Sequence, residues 1–452
     1  MLDAASGSLH RTTLLMTFKG KVAVFGLDGA PHGLLAEYFA AGVMPQLGEM
    51  ARTGSFQRME TDLPPVSSVA WTSFMTGENP GRHGIFGFTD VDENGALRFP
   101  SFDDIRRPAV WRKAPHIKSL IINLPFTYPA RPLHGVLISG FVAPLFERAV
   151  YPESLIPWLK SLDYRTDVDC VRGRADRRGL IVELFEHMNT LEKVTLSLVK
   201  SQPWDLCIVV ITGTDRLHHF FFDAANDLEH PFHGDFADYY RRVDGFFGRF
   251  RESVSATARL IALSDHGFTR LKTQVYVNYL LHSMGYLTSG PRAAKEPRDL
   301  HPRTKAFALD PGRIYINSRD RFKAGVILPN ERKSLRAKLK EEFAQVRLKD
   351  IGLTSSDLED SPEDRLFDRV FATEEVYHGE SVRFAPDLVL VPRRGYDLKA
   401  ALDADTPSGK DIFTGTHTHD DAFLISDDLS LPERLPRPSI RDVAEVIERN
   451  LM

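Results

Sequence analysis

Three short apolar segments of this 452-residue chain are each followed closely by an aspartate. In chain order, the segments and acids are Val22–Leu27 with Asp28, Leu206–Ile211 with Asp215, and Leu260–Leu263 with Asp265. In an open parallel sheet the carboxyl ends of the strands meet at one edge, where ligands bind. If the strands are neighbours, three carboxylates converge there, and their repulsion raises their pKa values unless a divalent cation is bound.

Histidines accompany these carboxylates at spacings that suit metal binding. His219 lies one helical turn after Asp215, so both side chains can face one ion. His266 adjoins Asp265, and His417 lies in a Gly/Thr-rich segment near the C-terminus. Mixed carboxylate and imidazole ligands suit zinc, with manganese or iron as alternatives. An aspartate after a strand is common in turns and helix caps, but several Asp/His clusters together favour a metal site.

A hydroxyl group stands at the start of another predicted element. Ser67 follows two prolines that fix an extended entry, and it directly precedes the predicted helix Ser68–Met75. For an isolated serine at such a position, a plain N-cap is the commoner role. However, a helix N-terminus also attracts anions such as phosphate, and with a metal nearby it lowers the pKa of a serine hydroxyl enough to make a nucleophile. In the loop that follows, His83 is a candidate substrate contact and Arg82 a surface residue.

The strands and helices predicted around these residues indicate an α/β fold. The three apolar segments do not alternate with polar residues, which is typical of parallel strands buried on both faces. Amphipathic segments lie between and after them, and we expect helices at Pro45–Gly54, Ser68–Met75, Leu180–Lys200, Ser334–Val346 and Ile440–Leu451. This alternation predicts a mostly parallel central sheet with helices on both faces.

The chain is expected to form one domain with insertions. We predict a disordered leader over 1–16 and a single catalytic domain over 17–452. The Pro- and Arg-rich residues 129–180 and the region 270–385 are predicted to be cap segments. Within the second, residues 288–330 carry a polar stretch that indicates a loop.

Charge, cysteine content and hydropathy argue against a nucleic-acid-binding, disulfide-rich or membrane-spanning protein. There are 57 Lys and Arg against 61 Asp and Glu, a net charge of −4, which gives no basic field for duplex nucleic acid or anionic lipid. The two cysteines, Cys170 and Cys207, cannot build a disulfide framework and suit a reducing compartment. No apolar run approaches the roughly 18 residues of a membrane helix. We therefore expect a cytoplasmic protein without a membrane span.

The ordered set of motifs resembles the alkaline phosphatase superfamily, and within it the type I phosphodiesterase/nucleotide pyrophosphatase family. The motifs are Leu27-Asp28-Gly29, Pro65-Val66-Ser67, Thr76-Gly77 with Pro80 and His83-Gly84-Ile85, Asp215 with His219, Ser264-Asp265-His266-Gly267, and Gly415-Thr416-His417. The resemblance implies an alkaline phosphatase-like fold with inserted caps. It also implies a metal-dependent hydrolase of small phosphate esters, chiefly phosphodiesters or nucleotide pyrophosphates.

The same resemblance implies the roles of individual residues. Two divalent ions, zinc or alternatively manganese, would be held by Asp215, His219 and His417 on one side and by Asp28, Asp265, His266 and the Ser67 oxygen on the other. Ser67, in place of the family's usual threonine, would be the nucleophile and form a covalent phosphoserine. Ala70 stands where many nucleotide pyrophosphatases have a phosphate-binding asparagine. Val69 and Trp71 occupy the positions of the sulfatase proline and arginine, which argues against a sulfatase.

Several functions remain open at this level. A phosphomonoesterase, a phosphonate hydrolase or a phosphomutase on the same core would use the same residues. A metal-binding protein without turnover is an alternative of a different class, because ligands alone do not prove catalysis. The leaving group and the oligomeric state are not predicted.

Overall fold

A computed structural model describes residues 20–254, 256–288, 294–353 and 364–451, so the predicted leader over 1–16 lies outside the described residues. The strands are β1 (Val22–Leu27), β2 (Ser55–Met59), β3 (Asp90–Val91), β4 (Leu97–Arg98), β5 (Ser119–Leu124), β6 (Gly135–Ser139), β7 (Val150–Tyr151), β8 (Leu206–Ile211), β9 (Arg259–Leu263), β10 (Gly267–Arg270), β11 (Thr273–Tyr276), β12 (Ala306–Leu309), β13 (Arg313–Ile316), β14 (Phe367–Ala372), β15 (Leu388–Pro392), β16 (Tyr396–Lys399), β17 (Ser408–Gly409), β18 (Gly415–Thr418) and β19 (Ala422–Ser426). The helices are α1 (His32–Ala40), α2 (Pro45–Thr53), α3 (Ser67–Thr76), α4 (Pro80–His83), α5 (Val110–Lys113), α6 (Ile156–Ser161), α7 (Cys170–Gly173), α8 (Arg177–Ser201), α9 (Gly213–Phe221), α10 (His233–Ser253), α11 (Val277–Ser283), α12 (Pro329–Gln345), α13 (Thr373–Val376), α14 (Leu431–Arg434) and α15 (Asp442–Leu451).

The central sheet has eight strands in the order β2-β19-β9-β1-β8-β5-β6-β7. Strand β1 pairs in parallel with both β8 and β9, so the three predicted core strands are neighbours. The antiparallel strands lie towards the two ends of the sheet, where β19 pairs with β9 and β2, and β7 pairs with β6. The expected mostly parallel sheet is confirmed, and its central strands end side by side.

Both faces of this sheet are covered, which explains why the core strands are apolar throughout. Ala23, Phe25 and Leu27 of β1 belong to a core cluster shared with α8 and α10. Val22 and Val24 belong to the cluster on the opposite face, with α3 and α15. Strands that are buried on both sides do not alternate. The expected helices on both faces are therefore confirmed.

The predicted helices are all present, with ends shifted by at most five residues. The largest shift is at α12, which begins at Pro329 rather than Ser334. Proline suits the first helical turn because its missing N–H would have no intrahelical partner there, so Pro329 was the overlooked start signal. Helix α3 begins at Ser67 itself, which makes Val66 and not Ser67 the N-cap residue.

The cap regions are more regular than the sequence suggested. The polar stretch 289–305, predicted as a loop, lies outside the described residues at 289–293 and ends just before β12. Strands β12 and β13, which were not predicted, follow it as buried strands of a four-stranded sheet, β12-β13-β15-β14. That sheet continues to Pro392, beyond the expected limit at 385. In the other region, over 129–180, β6 and β7 are part of the central sheet. Strands β6, β12 and β13 were not predicted because each has only four or five residues, too few to show a hydrophobic period.

None of the helices in the described ranges is long and apolar enough to span a lipid bilayer.

A glycine in β1 gives the first testable prediction. A Cβ at Gly26 would lie 2.8 Å from Cη2 of Trp71 and 3.0 Å from Cγ2 of Val210, so Gly26→Ala should overpack this layer. We expect the free energy of unfolding to fall by about 1–3 kcal/mol in chemical denaturation. Gly234→Ala in α10 is the matched control, because a Cβ there meets nothing within 4 Å. An unchanged stability of Gly26→Ala would contradict this packing.

Candidate active site

The three strand-end carboxylates converge as predicted at one edge of the central sheet. Asp28 directly follows β1, Asp265 lies two residues after the end of β9, and Asp215 lies in the first turn of α9, just after β8. All three are buried. The register of β1 with β8 pairs Leu27 with Ile211, so the two chains leave the sheet at the same level.

His417 reaches this edge through a separate two-stranded antiparallel sheet. Strand β18 runs antiparallel to β10 and pairs His417 with Phe268, two residues after His266. The imidazole rings of His266 and His417 lie 4.1 Å apart. A residue about 150 positions further along the chain thereby joins the site, and all seven predicted residues are brought together.

Three ligand atoms form the tighter of two groups. His417 Nε2 lies 3.0 Å from His219 Nε2 and 3.3 Å from Asp215 Oδ1, and His219 Nε2 lies 3.5 Å from the same oxygen. Zinc binds nitrogen and oxygen at about 2.0–2.1 Å in tetrahedral sites, which separates neighbouring ligand atoms by about 3.3 Å. The spacing of these three atoms therefore fits one zinc-sized ion.

The second group surrounds the Ser67 hydroxyl. Ser67 Oγ donates to Asp28 Oδ1 at 3.1 Å and lies 3.4 Å from His266 Nε2. The same nitrogen is 3.6 Å from Asp28 Oδ1 and 3.4 Å from Asp265 Oδ2. Ligand atoms of Asp28, His266 and Asp215 also lie within 4.8 Å of one another. Asp215 was predicted to bind only the ion held by His219 and His417. Its ligand atoms lie close to both groups.

Each carboxylate uses one oxygen for the protein and turns the other towards the site. Asp28 Oδ2 accepts from Trp71 Nε1 at 3.0 Å, and Asp265 Oδ1 accepts from the amide of Gly29 at 2.9 Å. Asp215 Oδ2 accepts from Arg216 at 2.7 Å. In the described part of the chain, Asp215 Oδ1 and Asp265 Oδ2 are buried without a hydrogen-bond partner. Buried carboxylate oxygens of this kind need a partner, and a cation would supply it.

The electrostatics also favour a bound cation. Burial and the charges of Asp265 and Asp215 raise the pKa of Asp28 well above its usual value. Burial, reinforced by the charge of Asp215, raises the pKa of Asp265 to about 8. For Asp215 the predicted rise is wrong: burial raises its pKa, but His219, His417 and Arg216 outweigh that effect and hold the pKa well below its usual value. Asp28 and Asp265 can both ionise once a divalent ion neutralises them. The donor set therefore fits divalent metal ions.

The histidines are in the form that a metal requires. Burial lowers the pKa values of His219, His266 and His417, which leaves the imidazoles neutral. His266 Nδ1 lies 3.1 Å from the carbonyl oxygen of Gly267 and donates to it, so Nε2 carries the free lone pair. A backbone carbonyl that fixes the tautomer in this way is a common feature of metal-binding histidines.

The N-terminus of α3 can bind an anion beside this centre. The ten-residue helix begins at Ser67, and the first amides of a helix lack the usual acceptor four residues back. The amide of Val69 donates to the Val66 carbonyl oxygen at 2.9 Å, so the amides of Ser67 and Ser68 are the candidates for an anion. Those amides and the helix dipole favour a negatively charged group next to the Ser67 hydroxyl. Ser68, the neighbour that competes for the nucleophile assignment, is fully buried, and its Oγ has no hydrogen-bond partner among the described residues.

Sequence reasoning missed two side chains that hold the ligands and misread a third. Trp71 and Arg216 bind Asp28 and Asp215, and neither residue type signals such a role without the fold. His83, a candidate substrate contact, is fully buried, and its Nε2 lies 3.1 Å from Ser73 Oγ. It therefore holds α3 against α4 and does not face the centre.

A cavity of about 380 Å³ opens beside the tighter ligand group. His219 and His417 form part of its wall. Much of the remaining lining is apolar, including Pro64, Phe88 and Phe413, and the polar side chains include Lys399. Residues of the smaller sheets, such as Leu390 and Tyr396, thus form part of the cavity wall.

The fold is shared with solved structures of other proteins. Phosphonoacetate hydrolase from Sinorhizobium meliloti 1021, in complex with phosphonoformate, has a TM-score of 0.62 at 15% identity, with 96% of each chain covered. A murine ectonucleotide pyrophosphatase/phosphodiesterase 5, an inactive variant in complex with AMP, has a TM-score of 0.55 at 12% identity, also with 96% of each chain covered. These likenesses define an alkaline phosphatase-like α/β fold.

The sequence identifies the family within this class. The pattern of the type I phosphodiesterase/nucleotide pyrophosphatase family matches residues 22–420, and the chain belongs to that family. It is therefore a phosphoric ester hydrolase of the phosphodiesterase/pyrophosphatase type. No curated protein sequence matches the chain.

Trp71 gives a prediction about the support of the centre. Trp71→Phe removes the donor to Asp28 Oδ2 while keeping most of the ring, and we expect activity to fall about 10–100-fold. Trp111→Phe is the matched control, since Trp111 is also buried in this core and its Nε1 has no hydrogen-bond partner among the described residues. Steady-state kinetics on a chromogenic phosphodiester compares them. Equal activities of the two variants would show that the hydrogen bond to Asp28 is unimportant.

Proposed function

We propose that the protein hydrolyses small phosphate esters by two displacements at Ser67. Ser67 Oγ attacks phosphorus, the bond to the leaving alcohol breaks, and a phosphoserine forms. Water then cleaves the phosphoserine, which releases the phosphate product and restores the hydroxyl. Divalent ions held by the two ligand groups would supply positive charge at the attacking and leaving oxygens. The amides of α3 stabilise the charge on the other phosphoryl oxygens.

One observation carries this proposal: the hydroxyl at a helix N-terminus is bonded to a buried ligand-type carboxylate. Ser67 Oγ lies 3.1 Å from Asp28 Oδ1 and 3.4 Å from His266 Nε2. A structural N-cap would instead accept from the amides of its own helix, but Val66 holds the cap position. The hydroxyl of Ser67 is thus positioned for chemistry at the ligand cluster.

The cavity favours a compact leaving group. Its volume of about 380 Å³ lies near the lower end of the range for small-molecule sites, about 300–1,000 Å³. Ala70 is fully buried and offers no side-chain donor to a phosphoryl oxygen. A phosphodiester of a small alcohol fits this site better than an extended nucleotide. Cleavage of a small phosphonate is the second candidate, because the same compact cavity would accept it.

A substrate screen tests the proposal. Phosphomonoesters, phosphodiesters, nucleotide pyrophosphates, phosphonates and sulfate esters are each incubated with the protein and added zinc or manganese. We expect turnover of a small phosphodiester, with phosphonate cleavage the next largest, and none of sulfate esters. Retention of phosphate on a sugar acid would identify a phosphomutase, and bound metal without hydrolysis of any ester would support a non-catalytic metal-binding protein.

The metal and the compartment are further parts of the proposal. The three donors of Asp215, His219 and His417 lie at a spacing that suits tetrahedral zinc, and manganese is the alternative. Both cysteines, Cys170 and Cys207, are free thiols, and neither makes a described hydrogen bond to a ligand atom. Free thiols fit the cytoplasmic location expected from the sequence.

A further inference from the structure

Arg216 is almost enclosed although it borders the cavity, and its side chain is only 12% exposed. It follows Asp215 directly and contacts both that residue and Asp167, which lies 49 positions earlier in the chain. Its guanidinium carbon lies 4.2 Å from the ring centre of Phe141. An enclosed cation with several specific contacts needs a structural or functional reason.

We infer that Arg216 is a positioning residue that fixes the orientation of the Asp215 carboxylate for metal binding, and that Asp167 in turn holds Arg216. This inference rests on the proposed function, because it assumes that Asp215 binds an ion. It assigns a task to residues 129–180: Phe141 and Asp167 hold the guanidinium in place.

The hydrogen bonds of Arg216 divide the two oxygens of Asp215 between the protein and the site. Arg216 Nη1 donates to Oδ2 at 2.7 Å. Oδ1 is then left for His417 Nε2 and His219 Nε2, at 3.3 and 3.5 Å. Rotating the carboxylate would break this hydrogen bond, so the bond favours the orientation in which Oδ1 faces the two imidazole nitrogens.

Asp167 balances the charge that this arrangement brings close to a metal site. Arg216 Nη2 donates to Asp167 Oδ2 at 2.7 Å, and Nε lies 3.3 Å from each oxygen of the same carboxylate. The pair of Arg216 and Asp167 is neutral, so the charge of Asp215 remains available to the cation. Without Asp167, an unpaired guanidinium would repel the cation and compete for Asp215.

These contacts also argue against a role for Arg216 in holding substrate. Its Nε, Nη1 and Nη2 all donate to the two carboxylates, and Phe141 lies against its face. Turning the guanidinium away to face a substrate phosphate would break these hydrogen bonds in a buried setting. The planar fork that satisfies both acids is specific to arginine, so Lys at this position should serve poorly.

A zinc titration of the metal-free protein against a competing chromogenic chelator tests the inference. We expect Arg216→Met to weaken the affinity for one of two ions about 10–100-fold, and Asp167→Asn to weaken the same ion in the same direction. Arg216→Lys should recover only part of the loss. The matched control is Arg332→Met, because Arg332 also joins two carboxylates, Asp387 at 2.7 Å and Asp320 at 3.2 Å, neither of which is a candidate ligand.

The outcomes separate the inference from the proposed function. Wild-type affinity in Arg216→Met, with a loss of thermal stability like that of Arg332→Met, would show a merely structural pair and overturn the inference alone. A wild-type protein that binds no zinc or manganese would overturn the proposed function and the inference together. If Arg216→Met does not fold, Asp167→Asn decides the question, since it keeps the guanidinium, and unchanged affinity in that variant overturns the inference.

Discussion

Ser67→Ala is expected to abolish turnover of a chromogenic phosphodiester, with a loss of kcat on the order of 10⁴-fold or more. The physical reason is that the variant lacks the oxygen that forms the bond to phosphorus, and losses of that size follow removal of a nucleophile in other hydrolases. The fold should survive, since Ser67 Oγ makes its contacts within the ligand cluster and not in the apolar core.

Ser68→Ala is the matched control for this experiment. Ser68 is the next residue of the same helix turn, is fully buried, and its Oγ has no hydrogen-bond partner among the described residues. Its removal should therefore leave kcat within a few-fold of the wild type. Retained turnover in Ser67→Ala, or loss only in Ser68→Ala, would refute the nucleophile assignment.

Removal of divalent ions should have the second large effect. After chelation we expect loss of activity and a lower melting temperature, because Asp28, Asp215 and Asp265 are left facing one another in a desolvated site. Ligands that bind only the folded state add about 2.7 kcal/mol when present at 100 times their Kd. Zinc or manganese should restore both properties.

Magnesium serves as the control ion for that measurement. It prefers oxygen ligands in octahedral geometry, whereas His219, His266 and His417 offer nitrogen, so it should restore little. Activity that persists after exhaustive chelation, with the metal content verified by mass spectrometry, would refute a metal-dependent reaction.

Much of the site was predictable because its ligands follow the strongest signals in the sequence. The strands before Asp28 and Asp215 are short, apolar and buried on both faces, and their bounds were predicted without error. The end of a parallel strand fixes where the next residue lies, so acids in that position converge whatever the intervening chain does. The role of His219 beside Asp215 was predicted from their four-residue spacing, which is one helical turn.

The supporting contacts were not predictable because they depend on packing between distant parts of the chain. The Trp71 contact with Asp28 spans 43 residues, and the Arg216 contact with Asp167 spans 49. No local pattern encodes either distance. Strands β12 and β13 were not predicted for a different reason. Each has four residues, on either side of the turn at Asp310, and so short a strand shows no hydrophobic period.

The central claim is that distant acidic and imidazole side chains hold two ions beside the Ser67 hydroxyl. The most direct test is a crystal structure of the zinc-loaded protein with anomalous data collected at the zinc edge. We expect two peaks about 4 Å apart, one bounded by Asp215, His219 and His417 and the other by Asp28, Asp265, His266 and Ser67. Zinc bound elsewhere, or these carboxylates turned to separate surfaces, would contradict it.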